Sequence, residues 1–293
     1  MARQIVQAIV DGILEGGVYA LMAVGLTLIF GVLDIVNIAQ GVLVILGAYL
    51  SYSLSVHLHI DLFAGLLITV PAMFVIGVVI HWAFISRLRG SERTSMTLLV
   101  TYAVALIIEG VLLKIYGPGY VLLNAWYTNN GVTIDGFVIA YIYIYGFILA
   151  VVLVLALYAL LYRTRFGRSV RATMQDETAA RLVGVDVQRV AALTFGIGVA
   201  VTAAGGMVFG ATSSGFNPNS GYDLISRLLA IIILGGMGSI GGALVASVFM
   251  LTLESVVAIW YSQWSIVVFY AALVLVLVIR PAGFLGRKAA RAQ

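Results

Sequence analysis

Residues 62–84 read LFAGLLITVPAMFVIGVVIHWAF, and residues 147–162, the centre of a longer apolar run, read FILAVVLVLALYALLY. Neither alternates polar with apolar side chains, as the roughly ten-residue strands of a membrane barrel must. About 18 or more apolar residues suffice for a helix to cross a hydrocarbon core of roughly 30 Å. In that medium an unpaired backbone N–H or C=O costs several kcal/mol, so only helices and closed barrels span it. Both stretches are therefore read as transmembrane helices.

The rest of the chain repeats the pattern. Apolar runs occupy 8–31, 38–56, 62–86, 95–113, 137–162, 190–213, 222–236, 240–260 and 264–279. Hydrophobic residues make up 62% of the 293 positions and charged residues 10%. Soluble domains hold about 45–50% and about 25%. A water-soluble globular protein is excluded. The expected fold is all-α and polytopic, one transmembrane domain over 1–293 with about eight crossings, some of them interrupted or re-entrant. Residues 5–31 read as the first membrane helix, since no small-residue cleavage site follows a short apolar core. Cysteine is absent, which removes disulfides, thiol chemistry and Cys-ligated metals.

The net charge is +4, and its placement gives orientation rather than a nucleic-acid surface. Arg87, Arg89 and Arg93 share one polar gap. Arg163, Arg165, Arg168, Arg171, Arg181 and Arg189 share a second, and Arg280, Arg287, Lys288 and Arg291 follow the last run. Positive charge flanking spans marks the cytoplasmic side, with contact to anionic lipid a secondary reading. The opposite gaps hold Asp61, Asp135 and Asp223, with Lys114 the one nearby base. On this basis 62–86 runs inward, 95–113 outward, 137–162 inward and 190–213 outward, and the C-terminus is cytoplasmic. The front end does not close. With Met1 inside, two crossings before Asp61 leave the chain inside, whereas 62–86 must begin outside. Either the N-terminus lies outside, or a segment near 32–46 is interrupted and is no full crossing. Residues 222–236 are short for a span and carry Arg227, so they too read as a possible half-helix.

Residues 114–136 are turn-rich, through Gly117-Pro118-Gly119 and Asn129-Asn130-Gly131, and read as an external loop. Trp126, Tyr127, Tyr141, Tyr143, Tyr145, Trp260, Tyr261 and Trp264 lie where run ends meet headgroups, an interfacial belt.

Two interruptions stand out. Residues 30–41, FGVLDIVNIAQG, set Asp34, Asn37 and Gln40 between glycines. Residues 235–242, GGMGSIGG, separate two apolar half-runs. Each glycine costs about 1 kcal/mol in a helix relative to Ala, and broken backbone at membrane depth survives only when buried in protein or lining a wet cavity. One discontinuous helix in each half of a chain points to a transporter's substrate region. The path candidates are therefore Asp34, Asn37, Gln40, Gly41, Gly235, Gly236, Gly238 and Ser239. The plainer alternatives are an interfacial loop for the first and small-residue helix packing for the second, as at Gly12/Gly16 and Gly206/Gly210. Among ionisable residues in or near spans (Asp11, Glu15, Asp34, Glu109, Arg227, Glu254), Glu254 is the best-buried candidate. It reads as proton coupling or as a structural bond to a neighbouring helix.

Residues 163–189 are the largest polar excursion. Ser169 to Leu182 reads as one helix ended by Gly184, with Val170, Met174, Ala180 and Val183 on an apolar stripe. Such a helix lies on the membrane or inserts into a cleft of a partner protein, and periodicity leaves both open. No phosphate-binding loop, HExxH, GxSxG or dinucleotide fingerprint occurs, so no catalytic residue is assigned. His57 and His59 beside Asp61 make only a weak metal candidate.

Four stretches, in this order over nearly the whole chain, resemble the H-type permease subunits of bacterial branched-chain amino acid ABC importers. They are GGVYALMAVGLTLIFGVLDIVNIAQG (16–41), TRFGRSVRATMQDETAARLVGVDV (164–187), RLLAIIILGGMGSIGGALVAS (227–247) and RPAGFLG (280–286). The resemblance implies a bacterial inner-membrane permease working by alternating access. Its implied partners are a homologous second permease, two ABC ATPases that consume ATP and magnesium, and an extracytoplasmic substrate-binding protein. No cofactor is expected on this chain. The resemblance favours the protein-cleft reading of 171–184, with Arg171, Gln175, Asp176, Glu177, Ala179, Ala180, Arg181 and Gly184 coupling to the ATPases. Gln40, Ile38 and Ala282 stand where similar permeases often have His, Phe and Gln. Branched-chain or other hydrophobic amino acids are the first expectation for substrate; urea, short amides and aromatic acids are carried by similar permeases. From other classes, a proton- or ion-coupled carrier and a channel or structural membrane component remain as alternatives.

Overall fold

The computed structural model describes residues 2–88, 93–134 and 137–286. Arg89, Asp135, Arg287, Lys288 and Arg291 lie outside the described residues. The helices are α1 (Ala2–Leu33), α2 (Gln40–Leu58), α3 (Leu62–Ala83), α4 (Arg93–Tyr116), α5 (Trp126–Asn129), α6 (Tyr141–Arg163), α7 (Arg165–Gln175), α8 (Glu177–Leu182), α9 (Val187–Thr212), α10 (Ser220–Gly235), α11 (Ile240–Tyr261) and α12 (Ser265–Ile279). Strands β1 (Gly131–Ile134) and β2 (Phe137–Ala140) pair antiparallel, Gly131 opposite Ala140.

Seven helical stretches among the described residues are long and apolar enough to cross a membrane. The last, Ile240–Ile279, is divided by the 3-10 turn Ser262–Trp264 into α11 and α12. The Phe284 ring beyond α12 meets Phe249 of α11 at 5.5 Å, so α12 returns alongside α11. Eight long apolar helices result, as expected, and α10 adds one further traverse.

Contacts between segments distant in sequence assign them to two faces. Gln7 at the start of α1 donates to the Val138 carbonyl at 3.0 Å, and Tyr127 of α5 donates to Asp61 at 2.8 Å. Ser53 near the end of α2 bonds Tyr116 at the end of α4 at 3.0 Å. These residues form one face. The other, arginine-rich face joins the end of α1 to α7, to Gly238 and to Leu285 around one cavity. The start of α1 therefore lies opposite the arginine-rich face, which closes the count left open by the sequence. The interruption after α1 is also real. At Asp34 the backbone turns left-handed (φ 53°), and residues 34–37 run without helix to α2.

α1 and α9 are buried along most of their length and form the core with α2 and α11. α1 reaches α11 through Gly12 and Gly16, where added Cβ atoms would strike the backbone of Thr252 and Val248. Removing bulk lets the backbones approach closely, which replaces the hydrophobic drive missing in lipid. The peripheral helices α3, α4 and α6 instead turn Leu67, Ile107 and Leu155 outward.

Two expectations need correction. The run 137–162 is not one helix, because 137–140 form β2 and the helix starts at Tyr141. Residues 169–182 are not one helix either. Asp176 adopts an extended backbone, ends α7, and caps α8 by accepting from the Thr178 and Ala179 N–H groups at 2.8 and 2.9 Å. Helix-forming composition there loses to a local cap. The proposed stripe divides with it: Val170 and Ala180 are buried, whereas Met174 and Val183 are exposed.

Candidate translocation and coupling region

α1 ends at Leu33, the chain turns back through 34–39, and α2 begins at Gln40 beside Thr202 in the middle of α9. The fold is held here by a polar chain inside the bundle. Asn37 donates through Nδ2 to Gln40 Oε1 at 2.8 Å. Gln40 Nε2 donates to Thr202 Oγ1, and that hydroxyl donates to the Met22 carbonyl at 3.4 Å. Asn37, Gln40 and Thr202 are fully buried, and the Asn37 Oδ1 has no partner among the described residues. The network ties α1, the re-entrant segment and α2 to α9 at Thr202, 162 positions beyond Gln40.

The same construction occurs a second time. α9 rises from the arginine-rich face, residues 213–219 turn back, and α10 begins at Ser220 and descends. The Ser220 N–H and hydroxyl both donate to Asn217 Oδ1 at 3.0 Å. Asn37-x-x-Gln40-Gly41 and Asn217-x-x-Ser220-Gly221 lie 180 positions apart in the chain. Because α1 and α9 run in opposite directions, the two units form an inverted pair. Their second helices, α2 and α10, meet where they begin. A Cβ on Gly41 would strike the Gly221 carbonyl, and one on Gly221 would lie 2.9 Å from the Val42 Cα. Gly41 thus supplies close backbone approach. Asn217, Ser220 and Gly221 escape a residue-by-residue reading of the sequence; the spaced Asn–Gly match is the signal that marks them.

The second glycine cluster turns on the arginine-rich face. Gly236 and Gly238 have φ of 96° and 81°, open to glycine and strained for other residues. Ser239 then caps α11, its Oγ accepting from the Gly242 N–H at 3.1 Å, and Gly235 packs on Gly242. The terminal RPAGFLG segment completes the turn: the Phe284 and Leu285 N–H groups donate to the Leu234 and Gly235 carbonyls at 2.7 and 3.1 Å. These carbonyls end α10 and would otherwise lack partners.

A cavity of about 890 Å³ opens beside this turn. Asp34, Gly238 and Ser239 from the first candidate set line it together with Arg171, Gln175, Asp176 and Glu177 from the second. Asn37, Gln40, Gly41, Gly235 and Gly236 do not line it and lie in the packed interior. Arg171 stands over the Tyr162 ring at 4.8 Å, Ala179 is exposed and Ala180 buried. Arg181 pairs with Glu177 on the α8 surface. Gly184, at φ 87°, reverses the chain after α8. Beside it Leu182 and Val183 are 84% and 78% exposed, an apolar tip on an otherwise polar excursion.

Three acidic residues of the spans take hydrogen-bond partners within the bundle. Glu254 accepts from Arg227 at 2.8 Å, in line with a bond to a neighbouring helix. Glu109 accepts from Tyr222, and Asp11 from Gln7 at 2.8 Å. Outside the spans, burial and the adjacent Asp61 carboxylate push the Tyr127 phenol up. No group of three or more metal-type ligands is found among the described residues.

Residues 8–277 match the family described as the permease component of the branched-chain amino acid transport system. The chain is 29% identical to the high-affinity branched-chain amino acid permease BraD of Pseudomonas aeruginosa, over 96% of this chain and 95% of the relative. It is 30% identical to LivH of Escherichia coli K12, with the same two shares. The LivM permease of that organism matches at 30% over 47% of this chain and 32% of its own length. No solved structure matches. With a family match across nearly the whole bundle and full-length similarity to these permeases, the chain belongs to the permease-component family of branched-chain amino acid transport systems, as a non-catalytic, multi-pass inner-membrane subunit of a multi-subunit ABC importer.

Proposed function

We propose that this chain imports branched-chain amino acids as one of two homologous permeases, driven by two ABC ATPases and supplied by an extracytoplasmic binding protein. The arginine-rich face is cytoplasmic by its charge, which puts the 280–286 segment in the cytoplasm and the start of α1 outside. The whole of 1–293 acts as one transmembrane domain. α7 and α8 take the ATPases, and the exposed Leu182–Val183 tip is suited to an apolar pocket on them.

The observation that carries this reading is the cavity wall shared by Asp34, Gly238 and Ser239 with Arg171, Gln175 and Asp176. A displacement of α7 and α8 bears directly on the re-entrant turn after α1 and on the α10–α11 turn. Those turns hold the inverted half-helices, so their movement opens or closes the path between permeases. The buried Asn37–Gln40–Thr202 chain keeps the bundle rigid enough to transmit it. The largely apolar interior suits a substrate already selected by the binding protein.

Reconstitution into liposomes tests the proposal. Leucine uptake requires ATP, both ATPases, the second permease and the binding protein. Uptake by this chain alone under a proton gradient would reassign it to the secondary carriers.

A further inference from the structure

A second cavity, of about 510 Å³, lies between α1, α10, α11 and the head of α12. Tyr120 of the 117–125 loop and Ser265 at the start of α12 line it on the face opposite the arginines. Its walls carry Glu15, Asp223, Arg227 and Glu254. Arg227 donates through Nη1 to Glu254 Oε2 at 2.8 Å, and the two side chains are only 22% and 15% exposed. Among the described residues, no protein hydrogen bond reaches the carboxylate of Glu15 or Asp223.

Charges at membrane depth are expensive and persist in pairs or around a wet cavity. One ion pair accounts for Arg227 and Glu254. Glu15 also faces Arg227, and Asp223 lies exposed at the mouth. Three carboxylates thus share one guanidinium, and the excess negative charge asks for a cation. The Arg227 guanidinium has five N–H donors, of which one faces Glu254 and another Tyr19, so donors are left for an anion. Leu224, Leu251 and Phe209 supply apolar wall. A small molecule with an ammonium, a carboxylate and an aliphatic side chain satisfies all three.

We infer that this cavity binds the transported α-amino acid as a zwitterion, its ammonium toward Glu15 and Asp223 and its carboxylate toward Arg227. It is an entry site inside this subunit, separate from the cavity on the arginine-rich face. The inference rests on the importer reading above and adds that the permease itself recognises the charged backbone of its substrate.

The chain has no cysteine, so Ala258→Cys on the cavity wall gives a single reactive site in this subunit, with Ser255→Cys as a second placement. The four-subunit membrane complex is reconstituted in phosphatidylcholine and phosphatidylglycerol vesicles, without binding protein or ATP. A cationic, membrane-impermeant thiosulfonate then labels the cysteine. Free leucine at about ten times its dissociation constant slows labelling about tenfold by simple occupancy. Isopentylamine, which lacks the carboxylate, and 4-methylpentanoate, which lacks the ammonium, give no such protection. Asp223→Asn abolishes the leucine effect while labelling continues.

Failure of both cysteines to react, or labelling indifferent to leucine up to its solubility, overturns the site. Equal protection by isopentylamine reduces it to a simple cation pocket. Protection by added phosphatidylethanolamine without leucine assigns it to a lipid headgroup instead. ATP-driven leucine uptake by the unmodified complex with its binding protein is measured in parallel. Uptake without protection overturns this site alone, and absence of uptake overturns the importer reading.

Discussion

Gln40 joins three segments at one point: it bonds Asn37 behind it, Thr202 on α9 and, through that hydroxyl, the α1 backbone at Met22. Replacing it by Leu roughly keeps the volume, strands the Asn37 amide in the interior and leaves the Thr202 hydroxyl without its donor. A buried polar group left without its partner costs about 1–3 kcal/mol. Gln40→Leu should therefore lower the thermal stability of the detergent-solubilised complex, whereas Gln40→His, which retains ring nitrogens for bonding, should restore most of it. Equal melting of Leu and wild type would remove the network from the account. Gly221 makes a sharper case, since any Cβ meets the Val42 backbone and its side chain. Gly221→Val should abolish stable assembly in the membrane. Gly110→Val, where nothing lies within 4 Å of the new atom, should leave assembly intact on the same blue-native gel.

At the scale of elements, α8 is the part most easily separated from the rest. Ala180 is buried under it and Ala179 and Leu182 are exposed, so a charge at 180 damages local packing while a charge at 182 leaves it alone. The 117–130 loop invites a pH experiment. Its Tyr127 phenol is raised by burial and by Asp61, so the stabilisation is complete below the unfolded phenol's value of about 10 and is lost as pH rises through the higher folded value. Thermal stability of wild type should fall more steeply above about pH 10 than that of Tyr127→Phe; parallel curves would show that the phenol is not involved.

The long spans were legible because lipid admits only helices and closed barrels, and runs such as 62–84 do not alternate as barrel strands must. The interruptions at 31–41 and 235–242 were legible because polar and glycine residues at that depth have few explanations. The re-entry at 213–219 was not, since Ser213-Ser214-Gly215 followed by Asn217-Pro218-Asn219 reads as an ordinary surface turn, and only its pairing with 37–41 gives it meaning. The β1–β2 hairpin had a local signal, Asp135-Gly136 between short β-branched stretches, masked by the apolar run that follows. The break at Asp176 was hidden because the residues on either side favour helix. The charged cavity was hidden for a different reason: Glu15, Asp223, Arg227 and Glu254 come from three helices, and no spacing in one dimension brings them together.

Over the whole molecule, the inverted pair built on α1–α2 and α9–α10 leaves the start of α1 and the end of α12 on opposite faces. In this cysteine-free chain, Gln4→Cys should react with an impermeant maleimide added to intact cells, and Gln175→Cys only after the membrane is opened. The reverse pattern would invert the orientation, and reaction of both from one side would refute the crossing count. In the proposed mechanism, power enters through α7 and α8 and reaches α2 and α10 across the shared cavity wall. Leucine uptake and ATP hydrolysis measured together on proteoliposomes carrying Leu182→Asp test it most directly. Uptake should fall at least about tenfold, the loss of roughly 1.4 kcal/mol of coupling, while the variant still inserts and pairs with the second permease. Wild-type uptake at wild-type hydrolysis in that variant would contradict the account.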